Sequence, residues 1–343
     1  MTTGKSQHPK AQPPIPAGIR DVAKAAGVSA TTVSHALSGK GRVPPATVEK
    51  VKAAVENLRY RPNPNARALK NKRSGVLVLA IPELEGTLTG SDFGFFMRVI
   101  AGASVAALKM GSVLAVASAG ETATGSLGDV PYDGAIIADP VPNDLRVDVV
   151  ESRRAPIVTI GRIPGDDRYP WVDNDHADAV RMVLDELVSR GAERPALLTL
   201  NEETGATSYY ADVLRGYSSW CADHGIRPVV ATSIAGDAKS ARAGARRLLR
   251  RKVRPDAIHA VIDELARAVD IVAREQHLRI PQDVSLSSLS VTPGTDSELP
   301  VLRIAIDPEE QGRRAVEALE ALVDGRRDVD NVIVPVKLVD GRA

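Results

Sequence analysis

The sequence has a single cysteine, Cys221, among 343 residues. One thiol cannot close an internal disulfide, which excludes a disulfide-stapled secreted scaffold and suits a reducing cytoplasm. Aromatic residues are scarce, at 3%. Residues 1–17 are rich in Pro, Lys and Gln and hold no apolar h-region, so they read as a disordered tail rather than a secretory signal. No apolar run is long enough to span a bilayer. The patterns G-x-G-x-x-G and G-x-x-x-x-G-K-[ST] are missing, and no acid and base pair up in a plausible site. An enzyme is therefore not expected, and neither a catalytic residue, a metal nor a cofactor is assigned.

What is present is an ordinary apolar fraction of 43% and a charged fraction of 25%, in a chain too long for one compact core. The net charge of +1 conceals a division: residues 1–73 hold 14 Lys or Arg against 3 Asp or Glu, giving +11, and the remainder carries −10. A basic head on an acidic body attracts phosphates at one end and repels them elsewhere, which favours double-stranded DNA as a partner.

Within the head, Ile19, Val22, Ala23 and Ala26 fall on one helical face, and Gly27 ends the pattern. Ser29 sits where an N-cap belongs, before a second helix with Val33, Ala36 and Leu37 on its inner face. Thr31, Ser34, His35 and Ser38 point away from that face. A short helix with small polar groups and one histidine outside can enter a major groove and read base edges. Pro44-Pro45 opens a third helix with Val48, Val51, Val55 and Leu58 as its inner stripe, completing a helix-turn-helix domain over 18–62. Residues 63–73 then read as a short hinge helix, with Asn63 as cap and Pro64 at its first position. A helix that short is marginal in water, so it is expected to order on DNA; the alternative is a plain linker.

The run Ile19-Arg20-Asp21-Val22-Ala23-Lys24-Ala25-Ala26-Gly27-Val28-Ser29, with Thr32-Val33-Ser34-His35, Tyr60-Arg61-Pro62-Asn63 and Ala66-Arg67-Ala68-Leu69 following in order, resembles the lactose-repressor (LacI) family. The stretch Val28 to His35 is most similar to its purine-repressor branch. The resemblance implies a repressor that binds a palindromic operator as a homodimer, with a tetramer as a further option, modulated by an unknown small-molecule effector. It implies DNA contacts from Ser29, Ala30, Thr31, Thr32, Ser34, His35, Asn65, Arg67, Leu69 and Lys70. Ala30, Thr31 and His35 would face bases, Ser29 and Ser34 phosphates, and Leu69 would wedge into the minor groove beside Lys70.

From Ser74 onward apolar runs alternate with helical patterns, which predicts parallel sheets with helices on both faces. The fold class is thus an all-α helix-turn-helix head plus an α/β body. The body resembles the family more weakly, through Trp171-Val172-Asp173-Asn174, Leu214-Arg215-Gly216-Tyr217, Asp263-Glu264-Leu265-Ala266 and Ile280-Pro281-Gln282-Asp283-Val284-Ser285. That resemblance implies two Rossmann-like lobes of the type I periplasmic-binding-protein kind in residues 74–343. The first lobe is placed at about 74–171 and 303–327 and the second at about 172–302 and 328–343, with effector in the cleft between them.

The departures from the family pattern bear on the effector. Where the resemblance leads one to expect an acid, an arginine, an asparagine, an aspartate and an aromatic platform, the chain has Gly161, Val213, Ile262, Ser290 and Ala238. The cleft set is read as Phe95, Gly161, Arg162, Tyr210, Val213, Asp263 and Ser290. So depleted a set points away from an ordinary sugar or purine and toward a more apolar effector, a partner protein or a degenerate pocket. The alternative is that Arg162, Asp212, Arg215 or Asp263 took over the polar contacts. Asp173, Asp175, His176 and Asp178 have the look of metal ligands, but on a first helical turn they read as dipole partners. Cys221 reads as a packing residue, Asp263 as a helix cap, and Phe93, Phe95, Phe96 and Tyr210 as core or loop anchors before cleft liners.

Overall fold

The computed structural model describes residues 17–38, 42–60, 73–82, 93–118, 127–201, 208–290 and 301–341. Asn65, Arg67, Leu69 and Lys70, and with them the expected hinge helix, lie outside these residues. The chain separates into two units, Met1–Ser74 and Gly75–Ala343.

The first unit holds α1 (Ile19–Ala26), α2 (Ala30–Ser38) and α3 (Pro45–Asn57). Their small core is Val22, Ala23, Val33, Val51 and Ala54, with Ile19, Ala26, Ala36 and Val55 packed at its edge. Gly27 ends α1 in the left-handed region, at φ 67, which a side chain would resist. Leu37 and Leu58, read as inner positions, are instead exposed, because the three short helices close around Val33 and Val51.

In the second unit the elements run β1 (Val76–Ile81), α4 (Phe93–Lys109), β2 (Val113–Ser118), β3 (Gly134–Ala138), α5 (Leu145–Ser152), β4 (Ile157–Ile160), β5 (Trp171–Asp173), α6 (His176–Ser189), β6 (Pro195–Leu200), α7 (Ser208–Asp223), β7 (Val230–Ser233), α8 (Ala238–Leu249), β8 (Ala257–Ala260), α9 (Asp263–Glu275), β9 (Ser285–Ser290), β10 (Leu302–Ala305), α10 (Pro308–Val323), β11 (Val332–Ile333) and β12 (Lys337–Asp340). Two six-stranded sheets form, in the orders β11-β5-β4-β3-β1-β2 and β12-β10-β9-β8-β6-β7. The described pairings are parallel except β10 with β12. The two strand orders match position for position, so the lobes repeat one architecture.

The sheets divide the chain later than the expected borders near Leu302 and Arg327. β10 stays in the second sheet and β11 belongs to the first, so the later crossings fall at 306–307 and 334–336. The apolar run over 332–338 is split between two strands in different sheets; Pro335 between them has no N–H to continue a ladder. Helix α5 had no clear apolar periodicity, because one of its buried residues is Arg146. Two glycines set the packing of α4 on α10: a Cβ on Gly102 would collide with the Glu309 carbonyl, and one on Gly312 with the Val99 carbonyl.

Candidate nucleic-acid interface and interlobe site

The start of α2 is built by a side-chain cap. Ser29 Oγ accepts from the Thr32 amide at 3.0 Å and lies 2.8 Å from Thr32 Oγ1. One orphan amide of the helix is thereby satisfied, and the first turn is fixed in place. Val33 is fully buried, whereas Thr31 is exposed and Ala30, Ser34 and His35 are half-buried. The helix therefore keeps one apolar anchor inside and offers a short, mostly small outer face. Ala30 contributes a methyl group alone, suited to apolar contact in a groove. The Ser29 hydroxyl thus caps the helix, the position that the sequence pattern gave it.

The body's two lobes meet at a polar junction where the chain crosses between sheets. Asn174, on the first crossing, donates from Nδ2 to the Val334 carbonyl on the third at 2.6 Å. Gln311, just past the second, donates from Nε2 to Asn174 Oδ1 at 2.7 Å. One buried amide thus ties the first crossing to the third and to the helix that follows the second.

Beside this knot lies a charged set. Arg162 follows β4 in the first lobe, and its guanidinium pairs with Asp212 of α7 in the second. Its Nε is 3.6 Å from Asp173 Oδ2, and its plane lies 5.4 Å from the centre of the Trp171 ring. The Arg162 amide donates to Ser208 Oγ at 3.2 Å, a second bond from lobe to lobe. Asp212 also meets Arg215 at 2.6 Å. Asp173 Oδ1 accepts from the Asn174 amide at 2.8 Å and lies 3.1 Å from His176 Nε2, whose ring stands edge-on to Tyr209. The side chains of Asp173 and Asp212 are only 6% and 5% exposed. Carboxylates so deeply withdrawn from water are tolerable because cations and donors surround them.

Several sequence-read site residues stand elsewhere. Val213 is buried in the second lobe's core and cannot line the junction. One residue is about 100° of helical turn, so Asp212 faces the first lobe where Val213 does not. Ile262 packs against the same core, and Ala238 is an exposed first residue of α8. Phe95 is packed against the first lobe's core and edge-on to Phe96. Tyr210 stands against Tyr209 and the second core. Asp263 does not cap α9: Ile262 is the capping position, and the Asp263 carboxylate accepts from Ser288 Oγ on β9. Ser290 ends β9, and its side chain lies outside the description. Gly161 follows β4 at φ 90.

The junction is therefore charged rather than apolar, contrary to the depleted cleft expected from aligned positions. Arg162, Asp212 and Arg215 are residues that the alternative reading named, whereas Asp173, His176 and Ser208 were in neither cleft reading. Among the described residues no group of three or more His, Cys, Asp or Glu is placed to hold a metal. Asp175 caps α6 by accepting from the Asp178 amide at 3.0 Å. Cys221 is buried in the second core, and burial pushes its thiol up, so it is a packing residue.

Comparison with known proteins gives a consistent picture. Residues 18–63 match the bacterial regulatory proteins of the lacI family, and residues 184–343 match the periplasmic binding protein-like domain. The HTH-type transcriptional regulator CelR of Thermobifida fusca is 29% identical over 328 residues, 93% of this chain and 94% of that protein. The HTH-type transcriptional repressor PurR of Edwardsiella ictaluri is 26% identical, over 95% of this chain and 96% of its own length. A lac repressor dimer bound to operator and the anti-inducer ONPF superposes with a TM-score of 0.76 at 25% identity, covering 95% of this chain and 98% of the other. The structure of a CelR–cellobiose complex matches with a TM-score of 0.69 at 24% identity, covering 94% and 98%.

Proposed function

Because this chain belongs to the lacI family of bacterial regulatory proteins, a family of DNA-binding transcriptional regulators, we propose that it is a cytoplasmic repressor that binds a palindromic operator as a homodimer and is controlled by a neutral, hydroxyl-bearing small molecule held between its lobes. The observation that carries the reading is the capped helix α2, with Thr31 exposed and Ser34 and His35 half-buried, in a head of charge +11. One such helix makes too few base contacts for useful specificity, and a two-fold pair doubles them. The body has a surface suited to a second copy. Val105 and Leu108 of α4 are 53% and 66% exposed, and they belong to one lobe edge with Val113 and Val116 of the outermost strand β2. Apolar side chains gathered on an unpaired sheet edge favour burial against a partner.

The effector class follows from the junction. The carboxylates of Asp173 and Asp212 can accept hydrogen bonds from hydroxyls, and the Arg162 guanidinium can donate to them. Asp173 and Asp212 are balanced by Arg162 and Arg215, so no unpaired cation is offered to a phosphorylated or carboxylated ligand, and desolvated acceptors disfavour a purely apolar one. Among the relatives, the CelR structure is a complex with cellobiose, which accords with a hydroxyl-rich ligand. Fluorescence anisotropy of labelled DNA from upstream of the protein's own coding region tests the whole reading. Binding of two chains per site is expected, with affinity altered by a neutral saccharide and not by its phosphate ester. A saturated complex containing one chain, or a response to apolar metabolites only, would refute it.

A further inference from the structure

We propose that the exposed basic turn after α8, residues 250–254, is a docking surface for an acidic protein segment that carries apolar side chains between its carboxylates. Residues 224–254 hold nine Lys or Arg against one Asp, a local charge of +8 in a body of −10. Most of these cations gather where α8 ends. Ala241, Ala245, Leu248 and Leu249 hold the helix to the second core. Arg247 and Arg250 are exposed, as are Arg251, Lys252, Val253 and Arg254 in the turn that follows.

The turn sits at the amino ends of the second sheet's parallel strands, opposite the end that meets the interlobe junction. The Arg254 carbonyl accepts from Arg194 Nε at 3.3 Å, one residue before β6 begins. Ala257, at the start of β8, pairs with Pro195 of β6 and with Ser285 of β9. Arg251 lies within electrostatic reach of the Tyr217 hydroxyl, which the Pro195 and Val229 carbonyls share. Exposed Arg227 leads into β7 from the same side. The fold does not use these cations. Arg246 pairs with Glu275 at 2.7 Å, and Arg247 donates to the Thr232 carbonyl at 2.8 Å. Among the described residues, however, no carboxylate lies within ion-pair distance of Arg227, Arg250, Arg251, Lys252 or Arg254. A helix C-terminus favours cations, but that effect fades within the last turn, and residues 251–254 lie beyond α8. Four cations in five residues repel one another, and an anionic partner relieves that repulsion.

The apolar residue within the run decides the kind of anion. Val253 is 68% exposed, the most exposed of the large apolar side chains among the described residues. A peptide can cover a valine and neutralise its basic neighbours at once, in the manner of an interface with an apolar centre and a polar rim. Phosphates offer the valine nothing. Glu193, Asp256 and Asp283, each paired with an arginine, also flank the turn. A duplex carries one charge per about 1.7 Å of its axis and would run its phosphates over these acids, whereas a short segment ends before them. A second copy of the chain fits no better, because a two-fold contact would set the cations against themselves.

The test uses the full-length protein and fluorescence anisotropy with labelled probes: a short capped peptide of Glu interleaved with Leu, an all-Glu peptide of equal charge, and a short DNA duplex. The basic head binds anions too, equally in every variant, so differences between variants report the turn. The Glu–Leu peptide is expected to bind wild type more tightly than the all-Glu peptide. Its Kd should rise about tenfold or more when Arg250→Glu and Arg251→Glu are combined, and roughly threefold or more in Val253→Ser. Duplex affinity should be the same in all. If charge reversal lowers the Tm, the neutral combination of Arg250→Gln, Arg251→Gln and Arg254→Gln takes its place, with the same direction expected. Failure of the Glu–Leu peptide to bind, or equal binding by wild type and the neutral variant, overturns the proposal. So does equal binding of the two peptides with no effect of Val253→Ser, which would make the turn a general anion sink. Duplex affinity lost in the neutral variant would assign the surface to nucleic acid instead. Self-association of wild type that the neutral variant loses, read by sedimentation velocity, would assign it to a second copy, and either result refutes a peptide partner.

Discussion

Arg162 concentrates several roles in one side chain. It neutralises two carboxylates, lies over Trp171 and bridges two lobes. Removing a cation from a buried pair strands the carboxylates, which costs about 3–5 kcal/mol for fully buried groups. Arg162 is 30% exposed and Asp212 keeps Arg215, so solvent and the second arginine reduce the loss to roughly 1–3 kcal/mol. Arg162→Ala should lower the Tm, and adding Asp212→Asn should recover part of it. A double-mutant cycle by chemical denaturation checks this; strictly additive losses would mean that the pair does not couple the lobes. His259 makes a second residue-scale case. It is fully enclosed in β8, 3.0 Å from Ser287 Oγ, and burial lowers its pKa to about 4 from the ordinary 6.5. The unfolded chain then binds more protons between those values, so stability is whole above pH 6.5 and is lost as pH falls toward 4. The loss amounts to roughly 3 kcal/mol when complete. Denaturation curves at pH 7 and pH 5 should differ in wild type and converge in His259→Leu.

At the scale of elements, α2 couples stability to recognition. Its cap is local, so Ser29→Ala should cost about 1 kcal/mol of head stability through the lost amide bond to Thr32. His35 sits further along the same helix, and His35→Ala should relax preference at one base position of each half-site, at about 1–3 kcal/mol. Binding selection on a randomised operator reads the second effect and circular dichroism of the head the first. If His35→Ala weakened all sequences equally, the histidine would be contacting backbone rather than a base. The helix pair α4 and α10 illustrates a different economy. Gly102 and Gly312 let two backbones touch, which carries α10 from the end of the second sheet back onto the first.

For the whole molecule, charge and symmetry act together. A head of +11 implies several phosphate contacts, so the logarithm of operator affinity should fall steeply and linearly with the logarithm of salt concentration. The paired substitution Val105→Glu and Leu108→Glu should yield monomers and weaken operator binding by at least tenfold without lowering the Tm of the body. Sedimentation velocity and anisotropy measure both. Dimers persisting in the double variant would move the interface away from α4 and β2.

Much of this protein follows from local chemistry alone. The three head helices, their Gly27 and Ser29 boundaries and the alternation of strands and helices depend on neighbours within a few residues, and periodicity and capping record such neighbours directly. Three kinds of feature do not. The sheet to which β11 belongs depends on pairing across 160 positions, Val332 with Val172, and β12 is placed by an antiparallel return onto β10, Asp340 with Leu302. Helix α5 hid from periodicity because its buried face includes Arg146, which finds its partners on β1 and β3. The junction was legible only as an alternative, because a position aligned by sequence says nothing of helical phase: Val213 turned to the core, and its neighbour Asp212 met an arginine 50 residues earlier in the chain. Sequence determined that this chain would read DNA through a small basic head and carry a two-lobed α/β body. Only the tertiary structure decided which side chains meet between the lobes, because a contact between distant segments exists only once both sheets have formed and the three crossings have drawn them together.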